Sequence, residues 1–128
     1  MIQGKLPQET STTLVPVAPS LTEARRLLLV DASDALPLLA PRPDRQSVVL
    51  TQMRMIGSIM LKNVDPDAII APLIATHWDI VDLGILLEEL GYTGMLYAMT
   101  KPLPRAELVL REVGAVCPRL TVRLLEIA

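Results

Sequence analysis

Aromatic side chains are nearly missing from this chain: its 128 residues include no Phe, one Trp and two Tyr. The core must then be built from Leu, Ile, Val, Ala and Met, and there is little surface on which nucleic-acid bases could stack. A formal net charge of −2 provides no footprint for a phosphate backbone, so nucleic-acid binding is not expected. Cysteine and histidine occur once each, as Cys117 and His77. One thiol excludes an internal disulfide and suits a reducing, cytoplasmic setting, and one Cys with one His cannot supply a zinc ligand set. The longest apolar run, Ala68 to Ala75, is far too short to span a membrane. No basic stretch followed by an apolar one opens the chain, so no secretory signal is expected. A glycine-rich turn after the first apolar run, a phosphate-loop pattern and a nucleophile elbow are all lacking, which removes the usual signatures of dinucleotide, nucleotide and hydrolase sites.

What is present has the composition of a globular protein, half hydrophobic and one fifth charged, and a length suited to one domain. Residues 1–24 stand apart. They are rich in Thr, Ser and Pro (Pro7, Pro16, Pro19) and read as an extended or partly disordered lead-in. The domain proper is expected over 25–128. Leu27-Leu28-Leu29-Val30 is a short continuous apolar run ending at Asp31, the signature of a buried parallel strand. Pro37, Pro41 and Pro43 allow only a short helix after it. Ser47 to Thr51 is a second strand, and Met53, Ile56, Met60 and Leu61 recur at helical spacing, predicting a helix over 52–62.

Ala68 to Ala71 forms a third strand, with regular pairing expected to fail at or just after Pro72, which lacks a donor. Thr76 and Asp79 have the spacing of a capping box for a helix whose buried stripe is Ile80, Leu83, Leu87 and Leu90, stopped by Gly91. Met95 to Met99 is a fourth strand. Pro104 suits a first helical position, with Val109, Leu110, Val113 and Cys117 facing inward, and Leu120 to Ile127 is a fifth strand.

Strands alternate with helices throughout, which predicts an α/β fold with a parallel sheet. The order resembles the receiver domain of bacterial response regulators over about Arg26 to Ile127. The phrases LLLVDAS, PDAIIAPLI and GYTGMLYAMT carry the likeness. It implies a three-layer, flavodoxin-like arrangement with five parallel strands in the order 2-1-3-4-5, a short first helix and no final helix. Position by position, the likeness breaks at the chemistry. The phospho-acceptor Asp that a receiver carries after its third strand falls on Pro72. Of the two acidic residues that hold magnesium, Asp31 matches one and Ala32 takes the place of the other. The hydroxyl after the fourth strand is kept as Thr100, and the lysine after the fifth strand has no counterpart before Ala128. The resemblance therefore implies a degenerate receiver pocket at Asp31, Pro72 and Thr100, with no phosphorylation on the usual Asp.

A doubly wound sheet needs helices on both faces. With the first helix short and the last missing, one face is expected to be apolar and poorly shielded, to be covered by the lead-in, by a second copy in a homodimer, or by another signalling protein. The fifth strand is expected to be an exposed edge blunted by Arg123 and Glu126. Arg111, Glu112 and Arg123 are the candidate polar contacts of an interface.

Two functional readings follow. The first is a non-catalytic receiver-like regulatory module without cofactor or metal, acting through dimerisation or partner binding. The second is a small-ligand sensor or weak enzyme using the loop edge, where Asp31, Asp34, His77 and Asp79 gather beyond the strand ends. Asp79 as a helix cap, Asp31 and Asp34 as turn residues and His77 as a loop residue are the plainer roles for these groups, and the buried-residue pattern gives Cys117 a packing role.

Overall fold

Alternation along the strands sets the two faces of one sheet. The structure is a computed structural model that describes residues 8–10, 24–39, 46–102 and 104–127. Its strands are β1 (Gln8–Thr10), β2 (Arg26–Val30), β3 (Ser47–Thr51), β4 (Ala68–Pro72), β5 (Met95–Thr100) and β6 (Thr121–Glu126). Its α-helices are α1 (Leu36–Leu39), α2 (Ser58–Val64), α3 (Ile80–Glu89) and α4 (Ala106–Val116), with 3-10 turns at Ser33–Ala35 and Met53–Met55. The sheet order is β1-β6-β5-β4-β2-β3, in which β2 to β6 are parallel and β1 is antiparallel to β6. The five parallel strands thus have the expected 2-1-3-4-5 order, a flavodoxin-like α/β fold.

Leu28, Val30, Ile69, Ala71, Leu96, Ala98 and Leu124 point to one face, where they meet Leu61 of α2, Ile80, Leu83 and Leu87 of α3, and Val113 of α4 with Cys117 beyond it. The intervening residues Leu27, Leu29, Ala68, Ile70, Tyr97, Met99 and Leu125 form a second cluster with Ala35 and Leu39 on the other face. Two-residue periodicity is all that is needed to divide them.

Several expectations are corrected here. The second face is largely covered within the single chain: Leu27, Leu29, Ala68, Ile70, Tyr97, Met99 and Leu125 are at most 8% accessible, while Leu50, beside Leu29 on the β3 edge, is half exposed. The fifth parallel strand is not a bare edge either, because β1 pairs with it through Gln8↔Glu126, Glu9↔Leu125 and Thr10↔Leu124. Apart from Gln8–Thr10 and Ala24, the expected lead-in lies outside the described residues. The helix expected over 52–62 is split. A single turn ends at Met55, Ile56 and Gly57 are extended, and α2 starts only at Ser58. Gly57 at φ −154° serves as its N-cap, and Asp65 in the left-handed region (φ 50°) ends it.

Helix α3 is well punctuated. Its N-cap is Asp79, whose carboxylate accepts the Asp82 backbone N–H at 3.1 Å while the Asp82 carboxylate accepts the Asp79 N–H at 3.0 Å. The capping box is therefore Asp79–Asp82, three residues later than expected, and Thr76 is not part of it. At the other end Gly91 adopts φ 84°, its N–H donates to Glu88 O, and the Tyr92 N–H donates to Leu87 O. That pair of bonds is the Schellman closure for which glycine is the natural residue.

Candidate functional site

In this order of strands the crossovers reverse direction between β2 and β4, and ligands of open α/β sheets bind at the carboxyl end of such a switch point. Asp31 follows β2 and Pro72 ends β4, so both stand at that place. Asp31 is in the left-handed region at φ 51°, which a short polar residue tolerates far better than a branched one. Its backbone N–H donates to Thr51 O at 2.9 Å. One oxygen of its carboxylate, Oδ2, accepts the Met53 N–H at 3.1 Å and the indole N–H of Trp78 at 3.3 Å. A single side chain thus joins the ends of β2 and β3 to the loop that precedes α3. Oδ1 makes no hydrogen bond among the described residues.

The loop from Leu73 to Asp79 is held at its base. The Leu73 N–H donates to Met99 O at 2.8 Å, the Ile80 N–H to Leu73 O at 2.9 Å, and the Ala75 N–H to Trp78 O at 2.8 Å. Ile74 and Asp79 face each other in an antiparallel bridge. Thr76 and His77 are left exposed at the tip, and Ile74 is 68% exposed. An open cleft of about 680 Å³ lies against this loop, lined by Asp31, Pro72, Ile74, Ala75, Thr76, His77 and Trp78. A smaller one, about 270 Å³, opens on the other side of Asp31 against Ala32, Ser33, Leu50 and Gln52.

The structure brings some of the expected residues together and separates others. Asp31, Pro72 and His77 share the large cleft. Asp79 is committed to the cap of α3, and Asp34 sits exposed in the Ser33–Ala35 turn without lining either cleft. The Thr100 hydroxyl donates to the carbonyl of Lys101 at 2.8 Å. Among the described residues, no group of three or more His, Cys, Asp or Glu is placed to hold a metal ion. Arg111 and Glu112 are exposed on α4, whereas Arg123 is half-buried on the opposite face of the sheet, beside Tyr97 in register, its Nε buried and without a hydrogen-bond partner among the described residues. These three do not form one patch.

Sequence reasoning missed Trp78 and Met53 as partners of Asp31. The signal available was the adjacency of the single His and single Trp in the loop after the third parallel strand. It also missed the opposite edge of the sheet, where the Asp67 carboxylate accepts the N–H groups of Arg25 and Arg26 at 2.8 and 3.2 Å and pairs with the Arg26 guanidinium at 3.2 Å. That cluster knits β2 to the start of β4, and Asp65 and Pro66 beside it line an open cleft of about 370 Å³ with Tyr92.

No protein-family model, curated protein or solved structure matches the chain. No described helix is long and apolar enough to cross a membrane.

Proposed function

We propose that this chain is a receiver-like regulatory module that acts by protein contact and carries no phosphoryl chemistry. The observation that supports the reading best is how the carboxylate at the end of β2 is used. Asp31 Oδ2 already accepts two protein donors, Met53 N–H and Trp78 Nε1–H, and the neighbouring strand ends in Pro72, whose side chain has no nucleophile. With Pro72 in place of a phospho-acceptor and Ala32 in place of a second acid, Asp31 lacks the partners with which a receiver organises magnesium and phosphate. The Thr100 hydroxyl is likewise turned onto the Lys101 carbonyl.

The contact surface that suits this module is the outer side of α4. Leu108 and Val116 are 44% and 47% exposed, and with Glu112 between them they recur at four-residue spacing along one helix face, with Arg111 beside it. An apolar pair flanking a charged residue on an exposed helix is a suitable docking element for another signalling protein or a second copy.

The test has two parts. Incubation with acetyl phosphate and magnesium, followed by intact-mass measurement, is expected to add no phosphate; stoichiometric uptake on Asp31 or Asp79 would overturn the proposal. Light scattering over a concentration series, or capture by a candidate partner, is expected to show an association that Leu108→Asp weakens at least tenfold. Association that is indifferent to that change would move the contact surface elsewhere.

A further inference from the structure

We infer that the cleft beside Asp31 and Trp78 is a binding site for a small organic cation, an ammonium group carrying a short apolar body. The cleft's walls set the chemistry. Pro72, Ile74 and Ala75 give it an apolar side, and Trp78 adds the one indole of the chain. Among the described residues the charge on the lining is negative: Asp31 contributes a carboxylate, and neither Lys nor Arg lines the cleft. Asp31 Oδ1 makes no hydrogen bond among the described residues, while Oδ2 is fixed by Met53 and Trp78, so the carboxylate is oriented and still has acceptor capacity. A carboxylate held in place by the indole N–H, with its second oxygen open and apolar walls beside it, suits an ammonium with a short apolar body through a charge-assisted hydrogen bond. The Thr76 hydroxyl and the exposed His77 imidazole stand at the rim as further polar groups. An anionic ligand such as a phosphate or carboxylate would meet Asp31 without a compensating Lys or Arg among the described lining residues.

The inference is separate from the contact reading, since it rests on the cleft alone and is read by a different signal. Trp78 is the single tryptophan, so the intrinsic fluorescence of the full chain reports this cleft specifically. The probe is butylammonium in phosphate buffer, which avoids amine buffers, with butanol and butyrate as neutral and anionic counterparts at matched ionic strength. Butylammonium is expected to change Trp78 emission saturably in the roughly millimolar range, the ordinary yield of so few heavy atoms. Butanol and butyrate are expected to give no saturation there. Asp31→Asn keeps an oxygen for the indole N–H and removes the charge, and is expected to weaken binding about tenfold. An emission change equal for all three probes, or none that saturates with butylammonium, overturns the inference. That comparison is made on the native sequence and stands even if the variant fails to fold.

Discussion

The carboxylate of Asp31 accepts the indole N–H of Trp78 at 3.3 Å, across 47 residues of sequence. The same oxygen accepts the Met53 N–H, so one side chain in a left-handed backbone conformation ties together three segments at the carboxyl end of the sheet. That position in open α/β sheets is where ligands bind, and here its side chain both joins three segments and forms part of the wall of a cleft.

Replacing this joint should cost stability in a graded way. Asp31→Ala removes two hydrogen bonds to a charged acceptor and places a Cβ-bearing residue without a polar side chain at φ 51°, for an expected loss of about 2 kcal/mol. Asp31→Asn, which keeps an acceptor and tolerates the backbone, should lose less than half of that. Trp78→Phe should cost about 1 kcal/mol, and the double variant should cost less than the sum, since the two changes remove one shared bond. Urea midpoints read all four chains. Strict additivity would mean that the Asp31–Trp78 bond contributes nothing to the fold.

The ends of α3 provide a second test. Asp79→Ala removes the acceptor for the Asp82 N–H and should cost about 1 kcal/mol, while Asp82→Ala leaves that bond in place and should cost less. Gly91→Ala forces a Cβ into φ 84° and should cost about 1 kcal/mol through the backbone alone, because nothing lies within 4 Å of the added carbon to clash with it. Thr76→Ala, at the position that the spacing alone suggests as the cap, should be neutral within about 0.5 kcal/mol. A Thr76→Ala loss as large as that of Asp79→Ala would contradict the cap seen in the structure.

The parallel sheet was legible because its strands are continuous apolar runs, LLLV, AIIA and MLYAM, whose ends are marked by Asp31, Pro72 and Thr100. Strand β1 was not, because the residues Gln8, Glu9 and Thr10 carry no apolar pattern and their strand is defined by backbone pairing with β6. The helix over 52–62 failed at Ile56 and Gly57. Apolar spacing is insensitive to a two-residue extended break, and a glycine N-cap leaves little mark in the sequence. The shared cleft of Asp31, Pro72 and His77 lies where the order of elements puts the loop edge of Asp31 and His77 and where the receiver resemblance puts Pro72, since strand ends converge at one edge. The bonds of Asp31 to Met53 and Trp78 were not legible, because they depend on how two loops fold back, which periodicity does not encode.

Cys117 lies against α3 at the end of α4, fully buried. Burial pushes its thiol above the ordinary range, and the nearby Glu88 carboxylate adds to the shift. At about pH 8.5, where a free cysteine is half ionised, the native thiol should react with a disulfide reagent far more slowly than the urea-unfolded chain. The measurement is the rate of thiolate release with and without denaturant. Prompt stoichiometric labelling of the native protein would show that α4 opens easily from the sheet.

Tyr92 gives the fold a dependence on alkaline pH. Its hydroxyl donates to Met95 O at 2.8 Å and lies against Gly94, where an added Cβ would come within 2.5 Å of the phenol oxygen. Burial, with the Asp67 carboxylate as the second cause, raises the phenol well above its ordinary value of 10.0. The folded state therefore holds the proton more tightly than the unfolded chain. The resulting stability is fully present below pH 10 and is lost progressively as pH rises above it. Tyr92→Phe should cost about 1 kcal/mol at neutral pH and should flatten the fall in melting temperature above pH 10 relative to the native sequence. Gly94→Ala should displace the ring, break the Met95 bond and cost about 1–3 kcal/mol. Parallel melting curves for Tyr92→Phe and the native chain across the alkaline range would sink this account, because they would mean that the phenol titrates alike in both states.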